Sequence, residues 1–354
     1  MRAFITCAFI FIFALPGLSQ TNVSAAPVLP KDPRAVFAAA APFYDFTDAT
    51  LKPWHLKATY QLYDEKGNPA EQGTYEYWWV SPHVYRNTWT RPNATHTDWH
   101  TAEGTHAYLA TGERLKYLEY KLQSALLSPL PDTEDLDPAK TRLDREMVSA
   151  GGSKMPCIMV IPLMPQHGQT QAVPLGLFPT YCFDSRLPVL RVTNSMGNVA
   201  MEYDNIAKVQ NRYLAREIVF YEGKHKILSA TVDTIGGLAP SDPALTPPPA
   251  TSVTKLDKVN LSGALAVGNL IKKETPVYPQ DAIDAHISGL VILKATIGMD
   301  GGIHDLRVVS TPWPSLAASA LWAVSRWEYK PYMLNGDPVE VETTVNVTYT
   351  LERN

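Results

Sequence analysis

The chain has 354 residues, more than a single hydrophobic core usually needs, so its length predicts two domains. Its hydrophobic content of 45% and charged content of 19% are ordinary for a globular protein. The formal net charge of -4 is small, and no run of lysine and arginine supplies a basic patch that could neutralise phosphates. These features argue against a nucleic-acid-binding protein.

The N-terminus has the pattern of an export signal. A single basic residue precedes the apolar run Phe4–Leu15, and the small residues after it offer cleavage sites behind Ser19, Ala25 or Ala26. The run would form about 18 Å of helix, short of the roughly 30 Å hydrocarbon core, which disfavours the alternative of an uncleaved inner-membrane anchor. We therefore expect residues 1–25 to be a signal peptide and the protein to act in the periplasm.

The cysteine content agrees with export. Cys7 lies inside the expected signal peptide, which leaves Cys157 and Cys182 in the mature chain. Two cysteines in an exported protein predict one disulfide, and a pair of buried free thiols is the alternative. In the chain-entropy model, a disulfide that closes a loop of this size contributes roughly 3 kcal/mol to stability.

The mature chain begins with a helix signal and continues into a long β region. Asp32 is suited to cap a short helix whose first residue is Pro33. From Leu56 onward, segments such as "LKATYQLYD" and "GTYEYWWV" alternate apolar and polar residues, and turn signals recur about every ten residues. This spacing is typical of a meandering antiparallel sheet.

The alternation stops between Ser124 and Ser153. There, "DLDPAKTRLDREMVSAGG" offers Asp137 as a helix cap, Pro138 as the first helical residue and a glycine pair as the stop, so we expect a helix. Alternating strands then resume and continue to "SATVDTI". The first domain, residues 27–238, is therefore predicted to be one large antiparallel sheet interrupted by helical segments.

Residues 239–262 are rich in Gly, Pro, Ser and Thr and are expected to form a linker. In residues 263–354, a short helix opens at Pro279, two strands meet at the turn "MDGG", and a second helix leads to a long last strand. The second helix has an apolar face, formed by Leu316, Ala317, Ala320, Leu321, Val324 and Trp327. The order helix, strand, strand, helix, strand predicts a small α+β domain, so the fold class is mainly β with an added α+β domain.

Five segments of this second domain follow one another at a recognisable spacing: "PVYPQDA", "SGLVILKATI", "DGGIHDLRVV", "SLAASALWAVSRWEYKP" and "NGDPVEVETTVNVTYTL". In these segments the domain closely resembles the C-terminal domain of TonB-type energy transducers, over roughly the last quarter of the chain. The resemblance implies a periplasmic domain that binds a short extended peptide of a TonB-dependent outer-membrane receptor beside its last strand. Such strand addition is called β-augmentation.

The resemblance places the binding edge on the strand that ends the domain. The residues it assigns to partner contact are Val341, Thr343, Val345, Val347, Tyr349 and Leu351. A long strand edge left open is an aggregation hazard unless a partner covers it. The alternative to a receptor peptide is self-pairing of this strand into a homodimer.

The chain departs from the TonB pattern in two ways. Classical transducers carry an N-terminal transmembrane helix coupled to a proton-driven motor, and a long Pro-rich spacer, whereas here the apolar N-terminus and the linker are short. Transmission of force from the proton-driven motor would therefore need a second protein or an uncleaved anchor. In addition, Thr275 and Pro276 stand where the enterobacterial type often has Gln-Pro, which puts a receptor contact at that point in doubt.

The first domain contains "GTYEYWWVSPHVYRNTW" and, further on, "YDNIAKVQNRYLAREIVFYEGKHKILSATVDTI". In layout and a few residues it weakly resembles the LolA/LolB-like lipoprotein carriers, whose broad antiparallel sheet folds around internal helices as a half-barrel and holds acyl chains. The resemblance implies a lipid-tail site lined by Tyr75, Tyr77, Trp79, Tyr85 and Trp89. The alternative is that these aromatic side chains only fill the core.

Residues that could support catalysis are sparse. His96, Asp98 and His100 point the same way on one strand, near His106 on the next, but no HExxH spacing or cysteine pair supports a zinc site. The chain has no phosphate-binding loop, dinucleotide fingerprint or nucleophile elbow. We therefore expect no metal, no cofactor and no catalytic residue.

The leading hypothesis is a non-enzymatic, peptide-binding TonB-family protein. A periplasmic lipid or lipoprotein carrier or sensor, in which the TonB-like domain serves only for docking, is the alternative, and a metallohydrolase is a weaker third hypothesis.

Overall fold

The computed structural model of the protein describes residues 29–150, 153–163, 175–195, 199–249, 252–254, 259–260, 269–334 and 337–351. The predicted signal peptide lies outside these residues. Within the described ranges, no helix is both long and apolar enough to span a bilayer.

One large antiparallel sheet dominates the first domain. In chain order its strands are β1 (Trp54–Tyr63), β2 (Pro69–Ser81), β3 (Val84–Arg91), β4 (Ala94–His100), β5 (His106–Gly112), β6 (Thr141–Ala150), β7 (Ser153–Pro162), β8 (Thr180–Phe183), β9 (Leu190–Ser195), β10 (Val199–Val209), β11 (Arg212–Glu222), β12 (His225–Gly237) and β13 (Ser252–Thr254). Their order across the sheet is β13-β5-β4-β3-β2-β1-β12-β11-β10-β9-β8-β7-β6. The sheet is open, with β13 and β6 at its two ends, and the predicted mainly β class is confirmed.

Alternation of apolar and polar residues decides which face of this sheet is buried. Along β1, every second side chain is buried and the others are partly exposed, as expected for a strand with one face on a core. Leu56 on β1 pairs with Tyr77 on β2, and both side chains lie in the same core. That core is rich in fully buried aromatics, among them Trp54, Trp79 and Trp89.

Two helices pack on the buried face of the sheet. The predicted helix at Pro33 is confirmed as α1 (Pro33–Ala40), and the Asp32 side chain caps it by accepting a hydrogen bond from the Ala35 amide at 2.8 Å. A second helix, α2 (Tyr117–Leu127), was not predicted, and it buries Leu122 and its apolar neighbours in the same core.

The predicted helix from Asp137 to the glycine pair is wrong, because this segment forms the edge strand β6. All of β6 pairs antiparallel with β7, from Thr141 with Pro162 to Ala150 with Ser153. Asp137 does cap a turn, accepting a hydrogen bond from the Ala139 amide at 2.9 Å, but the turn does not continue as a helix. A glycine pair can signal either the end of a helix or a hairpin turn. Because β6 pairs with β7, the segment before the glycine pair is a strand and not the predicted helix.

The predicted disulfide between Cys157 and Cys182 is present. Cys157 lies on β7 and Cys182 on β8, where the two residues are direct cross-strand partners. Both side chains are buried, so the bond joins two neighbouring strands inside the domain.

The second domain has the predicted order of elements. They are α3 (Gln280–Asp284), β16 (Gly289–Ile297), β17 (Ile303–Ser310), α4 (Pro314–Val324) and β21 (Val341–Tyr349), with the short strands β14 (Val259–Asn260), β15 (Leu270–Lys272), β18 (Glu328–Tyr329), β19 (Tyr332–Leu334) and β20 (Asp337–Val339). The main sheet has the order β14-β21-β16-β17. The apolar face predicted for the second helix is buried in this domain's core, which also contains Trp327 beyond the helix end.

The described parts of the predicted linker contribute a strand to each sheet. β13 pairs antiparallel with β5 in the large sheet, and β14 pairs in parallel with the first two residues of β21. The division at 239–262 remains a prediction, but this segment is structurally joined to both domains.

The two domains share apolar contacts. The side chains of Met159 and Ile161, on β7, belong to the core cluster of the second domain, whereas Ile158 and Val160 between them belong to the core of the first. Both faces of β7 are therefore buried, which explains why its sequence is apolar without alternation.

Candidate functional site

The last strand, β21, has a different environment on each side. On one side it pairs antiparallel with β16 along its whole length, from Val341 to Tyr349. On the other side only β14 pairs with it, at Val341 and Glu342. Along residues 343–349, no described strand pairs with the outer edge of β21.

The side chains predicted to contact a partner lie on the inner face of β21. Val341, Thr343, Val345, Val347 and Tyr349 are all buried, and Leu351 follows the strand half-buried. The exposed side chains of the strand are those of Thr344, Asn346 and Thr348. The open edge therefore offers its main chain and a polar outer face, while the predicted set packs against the domain's own core.

The opposite edge of the second sheet faces the first domain. β17 contacts both α2 and β7. Lys121 of α2 lies 3.6 Å from Asp305, and Arg307 Nη1 donates to Asp135 Oδ1 at 3.4 Å. The edge at β17 thus packs against the first domain, whereas the edge at β21 does not take part in these contacts.

A cluster of polar side chains joins α2 to the second domain. The ring of Tyr120 stacks on His304 with centroids 3.5 Å apart, and its hydroxyl donates to Asp300 Oδ2 at 3.0 Å. His304 Nε2 lies 3.2 Å from Asp300 Oδ1, and His304 Nδ1 lies 3.7 Å from Glu340 Oε2. Because Glu340 immediately precedes β21, the cluster connects the start of the last strand to α2. We call these four residues the domain joint.

The joint strongly shifts the pKa values of its charged members. Burial opposes the charged form of His304, but hydrogen bonds and the charges of Asp300 and Glu340 raise its pKa to about 9. Burial likewise opposes the Asp300 carboxylate, but hydrogen bonds from His304, the Gly302 amide and Tyr120 lower its pKa to about 2. At neutral pH the joint therefore contains an imidazolium between carboxylates.

The first domain contains an aromatic pocket of about 330 Å³. Tyr77, Trp79 and Tyr85 line it from β2 and β3, while α2 contributes Gln123, Ser124 and Leu127.

The predicted lipid-site residues divide between this pocket and the core. Three of the five, Tyr77, Trp79 and Tyr85, line the pocket. The other two, Tyr75 and Trp89, are 0% and 1% exposed and stack on each other at 4.1 Å. They are packed away from the pocket.

A larger cleft of about 1110 Å³ lies between the two domains. Its apolar lining includes Leu115, Ile303 and Trp327. Much of its charged lining is already paired within the protein, as where Arg326 Nη2 donates to Glu222 Oε1 at 2.9 Å. The cleft therefore has no clear preference for a ligand of either charge.

The histidines of β4 and β5 are engaged by protein groups. His96 Nδ1 lies 3.0 Å from the Tyr108 hydroxyl, and His96 Nε2 lies 2.7 Å from the Glu113 carbonyl oxygen. His106 Nε2 lies 3.1 Å from Asp98 Oδ1. No set of three or more His, Cys, Asp or Glu side chains in the described ranges is arranged to hold a metal ion.

His100 occupies an aromatic stack instead of a ligand set. Its ring lies 4.0 Å from that of Tyr85 and 4.5 Å from that of His106. Burial, together with the nearby His106, lowers the pKa of His100 to about 4, so the ring is neutral at pH 7.

Comparison with known proteins gives a family match for the second domain. Residues 274–351 match the family described as the Gram-negative bacterial TonB protein C-terminal. The solution structure of the TonB C-terminal domain of Pseudomonas aeruginosa is 28% identical, covers 24% of this chain and 87% of its own, and has a TM-score of 0.22. The TonB resemblance predicted from the sequence is confirmed for this domain.

The first domain is similar to other solved structures at low identity. A LolA superfamily protein from Nitrosomonas europaea is 7% identical, covers 60% of this chain and 97% of its own, and has a TM-score of 0.31. A DUF1329 family protein from Desulfovibrio piger is 10% identical, with coverage of 60% and 96% and a TM-score of 0.33. No curated protein is significantly similar to the chain.

Proposed function

We propose that this protein is an exported, periplasmic, non-enzymatic binding protein that receives an extended peptide along its last strand. One observation carries the proposal: the outer edge of residues 343–349 has no strand partner in the described part of the chain. The match of residues 274–351 to TonB C-terminal domains supports a peptide from a TonB-dependent outer-membrane receptor as the partner.

Main-chain hydrogen bonds would supply most of the affinity. Residues 343–349 present about 23 Å of edge at roughly 3.3 Å per residue, enough for a peptide of similar length. Alternate peptide side chains would lie beside Thr344, Asn346 and Thr348, which are exposed and uncharged. We therefore expect selectivity for polar or small side chains on that face of the peptide.

The linker sets one limit of the site. Because β14 already pairs with Val341 and Glu342, an added strand meets the linker at that end of the edge. The peptide should therefore begin or end beside Thr343. In energy-coupled transport, either a second protein linked to the inner-membrane motor or an uncleaved N-terminal anchor would have to transmit the force.

The proposal is tested with labelled peptides from the N-terminal segments of outer-membrane receptors. Fluorescence anisotropy measures their affinity for the purified protein, and a scrambled peptide of the same composition is the control. N-methylation at successive peptide positions should weaken binding at every second position, because alternate amides of an added strand face its partner. Absence of binding, or losses without this alternation, would contradict strand addition.

The same edge could instead pair with itself in a homodimer. Light scattering behind size-exclusion chromatography distinguishes the two arrangements. We expect a monomer that binds peptide. A dimer that dissociates as peptide is added would show that self-pairing covers the edge in the absence of the partner.

A lipid or lipoprotein carrier is the second candidate function. It is favoured by the placement of Tyr77, Trp79 and Tyr85 around one pocket. Mass spectrometry of lipids extracted from the purified full chain separates the two candidates. Stoichiometric lipid would favour the carrier, whereas peptide binding by lipid-free protein would favour the peptide-binding function.

A further inference from the structure

The second domain is fixed to β7 and to helix α2 by several contacts. Met159 and Ile161 of β7 belong to its core, and Tyr120 of α2 stacks on His304 in the domain joint. The next residue of α2, Lys121, lies 3.6 Å from a carboxylate of β17. Because these contacts include apolar packing and buried hydrogen bonds, they are costly to separate.

A separate contact joins the second domain to the hairpin of β11 and β12. Glu222, the last residue of β11, accepts two hydrogen bonds at one oxygen, Oε1: from Trp322 Nε1 at 2.8 Å and from Arg326 Nη2 at 2.9 Å. Both donors belong to the second domain. Gly223 follows with a φ of +60° in the tight turn that leads into β12, so the hairpin backbone holds the carboxylate in place.

The two donors are also arranged by contacts within the second domain. The Arg326 guanidinium lies over the Trp322 ring, 4.1 Å from its centroid, and Arg326 Nη1 donates to the Trp322 carbonyl at 2.9 Å. A preorganised pair of donors loses little conformational freedom when a carboxylate binds to it. The second domain therefore presents a formed receptor for the Glu222 side chain.

This contact remains open to water. The side chain of Arg326 is 36% exposed and that of Glu222 is 28% exposed. Ion pairs with this much exposure stabilise a protein little and are weakened by salt, because water can replace each partner. The contact at Glu222 is therefore easier to break than the packing at β7.

The same contact borders the large cleft between the domains. Glu222 and Arg326 line the cleft together with the apolar residues Leu115, Ile303 and Trp327. A polar interface that leaves a cleft of about 1110 Å³ between two domains permits their relative motion. Separation of Glu222 from Arg326 would widen this cleft and expose its apolar floor.

We propose that Glu222 forms a latch that holds the cleft closed. Its release lets the second domain turn away from the hairpin of β11 and β12, while the contacts at β7 and at the domain joint keep the domains together. The fold thus has a closed and an open arrangement, and ionic strength shifts the population between them. The proposal does not depend on peptide binding at β21.

The distance between two spin labels on the full chain tests the proposal. The labels are attached at the exposed positions Glu65→Cys in the first domain and Lys330→Cys in the second, in a Cys7→Ser background, because Cys157 and Cys182 are already joined. Double electron–electron resonance gives the distance distribution in low salt and in about 1 M salt, where the Debye length is about 3 Å. We expect one dominant distance in low salt and a second, longer distance whose share grows with salt.

Substitutions assign the longer distance to the latch. Glu222→Ala removes both hydrogen bonds and should lower the ratio of closed to open molecules at least about threefold in low salt. Glu222→Gln keeps an acceptor oxygen without the charge, so it should open the cleft less than Glu222→Ala and lose most of the salt dependence. The matched control is Glu217→Ala, at an exposed position of the same strand, which should behave as the unmodified chain.

Two results would overturn the proposal. One is a distance distribution that is the same in the unmodified chain and in Glu222→Ala at both salt concentrations. The other is equal opening by Glu222→Ala and Glu217→Ala. Near-ultraviolet circular dichroism shows whether each variant is folded. Arg326→Ala removes the same ion pair from the second domain and should open the cleft to a similar extent, so it replaces Glu222→Ala in the test if that variant does not fold.

Discussion

Tyr120 and His304 belong to different domains, and their rings stack at 3.5 Å. Tyr120 lies on α2 one turn before Ser124, whose hydroxyl donates to the Tyr120 carbonyl at 3.3 Å, and Ser124 lines the aromatic pocket. On the other side, His304 lies close to Glu340, the residue before β21. Helix α2 therefore lines the aromatic pocket with Ser124 and, through Tyr120 and His304, lies near the residue that precedes β21.

The charge of His304 should make the domain joint sensitive to pH. Its pKa is raised from 6.5 to about 9, so its stabilising contribution is fully present below about 6.5 and is lost as the pH rises through 9. The pKa of Asp300 is lowered from 3.8 to about 2, so its contribution is lost only as the pH falls through about 2. We expect maximal stability of the joint between about pH 4 and 6.5, with up to roughly 3 kcal/mol lost above pH 9.

The measurement is urea denaturation of the full chain from pH 5 to pH 10. The variant His304→Gln, which stays neutral, should be less stable at pH 6 and should lack the decline between pH 6.5 and 9. The matched control is His83→Gln in the exposed turn between β2 and β3. A decline that persists unchanged in His304→Gln would show that another group causes it.

A buried ion pair should fix the start of α2. Arg91 Nε donates to Glu119 Oε1 at 3.0 Å, both side chains are fully buried, and Glu119 Oε2 accepts from the Lys116 amide at 2.6 Å. Tyr60 donates to the same carboxylate. Glu119→Ala removes the acceptor of Arg91 Nε and of the buried Tyr60 hydroxyl, while Arg91 Nη1 keeps Glu71 Oε2 at 2.6 Å, so it should cost about 2–4 kcal/mol of unfolding free energy.

The control for this change is Glu113→Ala. Glu113 also pairs with Arg91, at 3.3 Å, but its side chain is 58% exposed. Its removal should cost no more than about 1 kcal/mol. Chemical denaturation followed by near-ultraviolet circular dichroism measures both variants, and equal effects would argue against a special role of the buried pair.

Gly301 should be intolerant of a side chain because of its backbone conformation and its surroundings. Its φ is +81°, and a Cβ there would lie 2.0 Å from the Tyr329 carbonyl oxygen. Gly301→Ala should cost about 2–4 kcal/mol, because strain and overlap add. Gly236→Ala, where a Cβ would meet nothing within 4 Å, should change the thermal midpoint little. Similar midpoints for the two variants would contradict the tight turn at Gly301.

The two helices and three long strands of the second domain could be predicted because their local signals agree with the final structure, whereas its short strands were not predicted. Its strands alternate, its second helix has one apolar face, and its turns contain glycine, so no long-range contact had to override a local preference. In the first domain, Asp137 and Pro138 gave a genuine helix-start signal. Pairing of β6 with β7 overrode it, and that pairing partner could not be identified from local sequence.

Helix α2 was missed because its N-cap residue, Lys116, has no side-chain acceptor, so its start carries only half of a capping box. Glu119 stands three residues after Lys116, and its side chain bonds the Lys116 amide as in a capping box. Leu118, Leu122 and Leu126 recur at helical spacing. The domain joint could not have been predicted, because it depends on how two separately folded units dock, and residues distant in sequence meet there only after both have formed.

Substitutions on the two faces of β21 should separate folding from binding. Val345 is 5% exposed within the core, so Val345→Ala should cost about 1–3 kcal/mol, as for other buried apolar truncations. Asn346 is exposed on the outer face, so Asn346→Ala should change stability by less than about 0.5 kcal/mol. If an added peptide lies beside that face, Asn346→Ala should alter peptide affinity although the fold is unchanged. Denaturation and anisotropy on the same preparations measure the two effects. Equal destabilisation by both variants would show that both faces of the strand are buried, and that its outer face is not available to a partner.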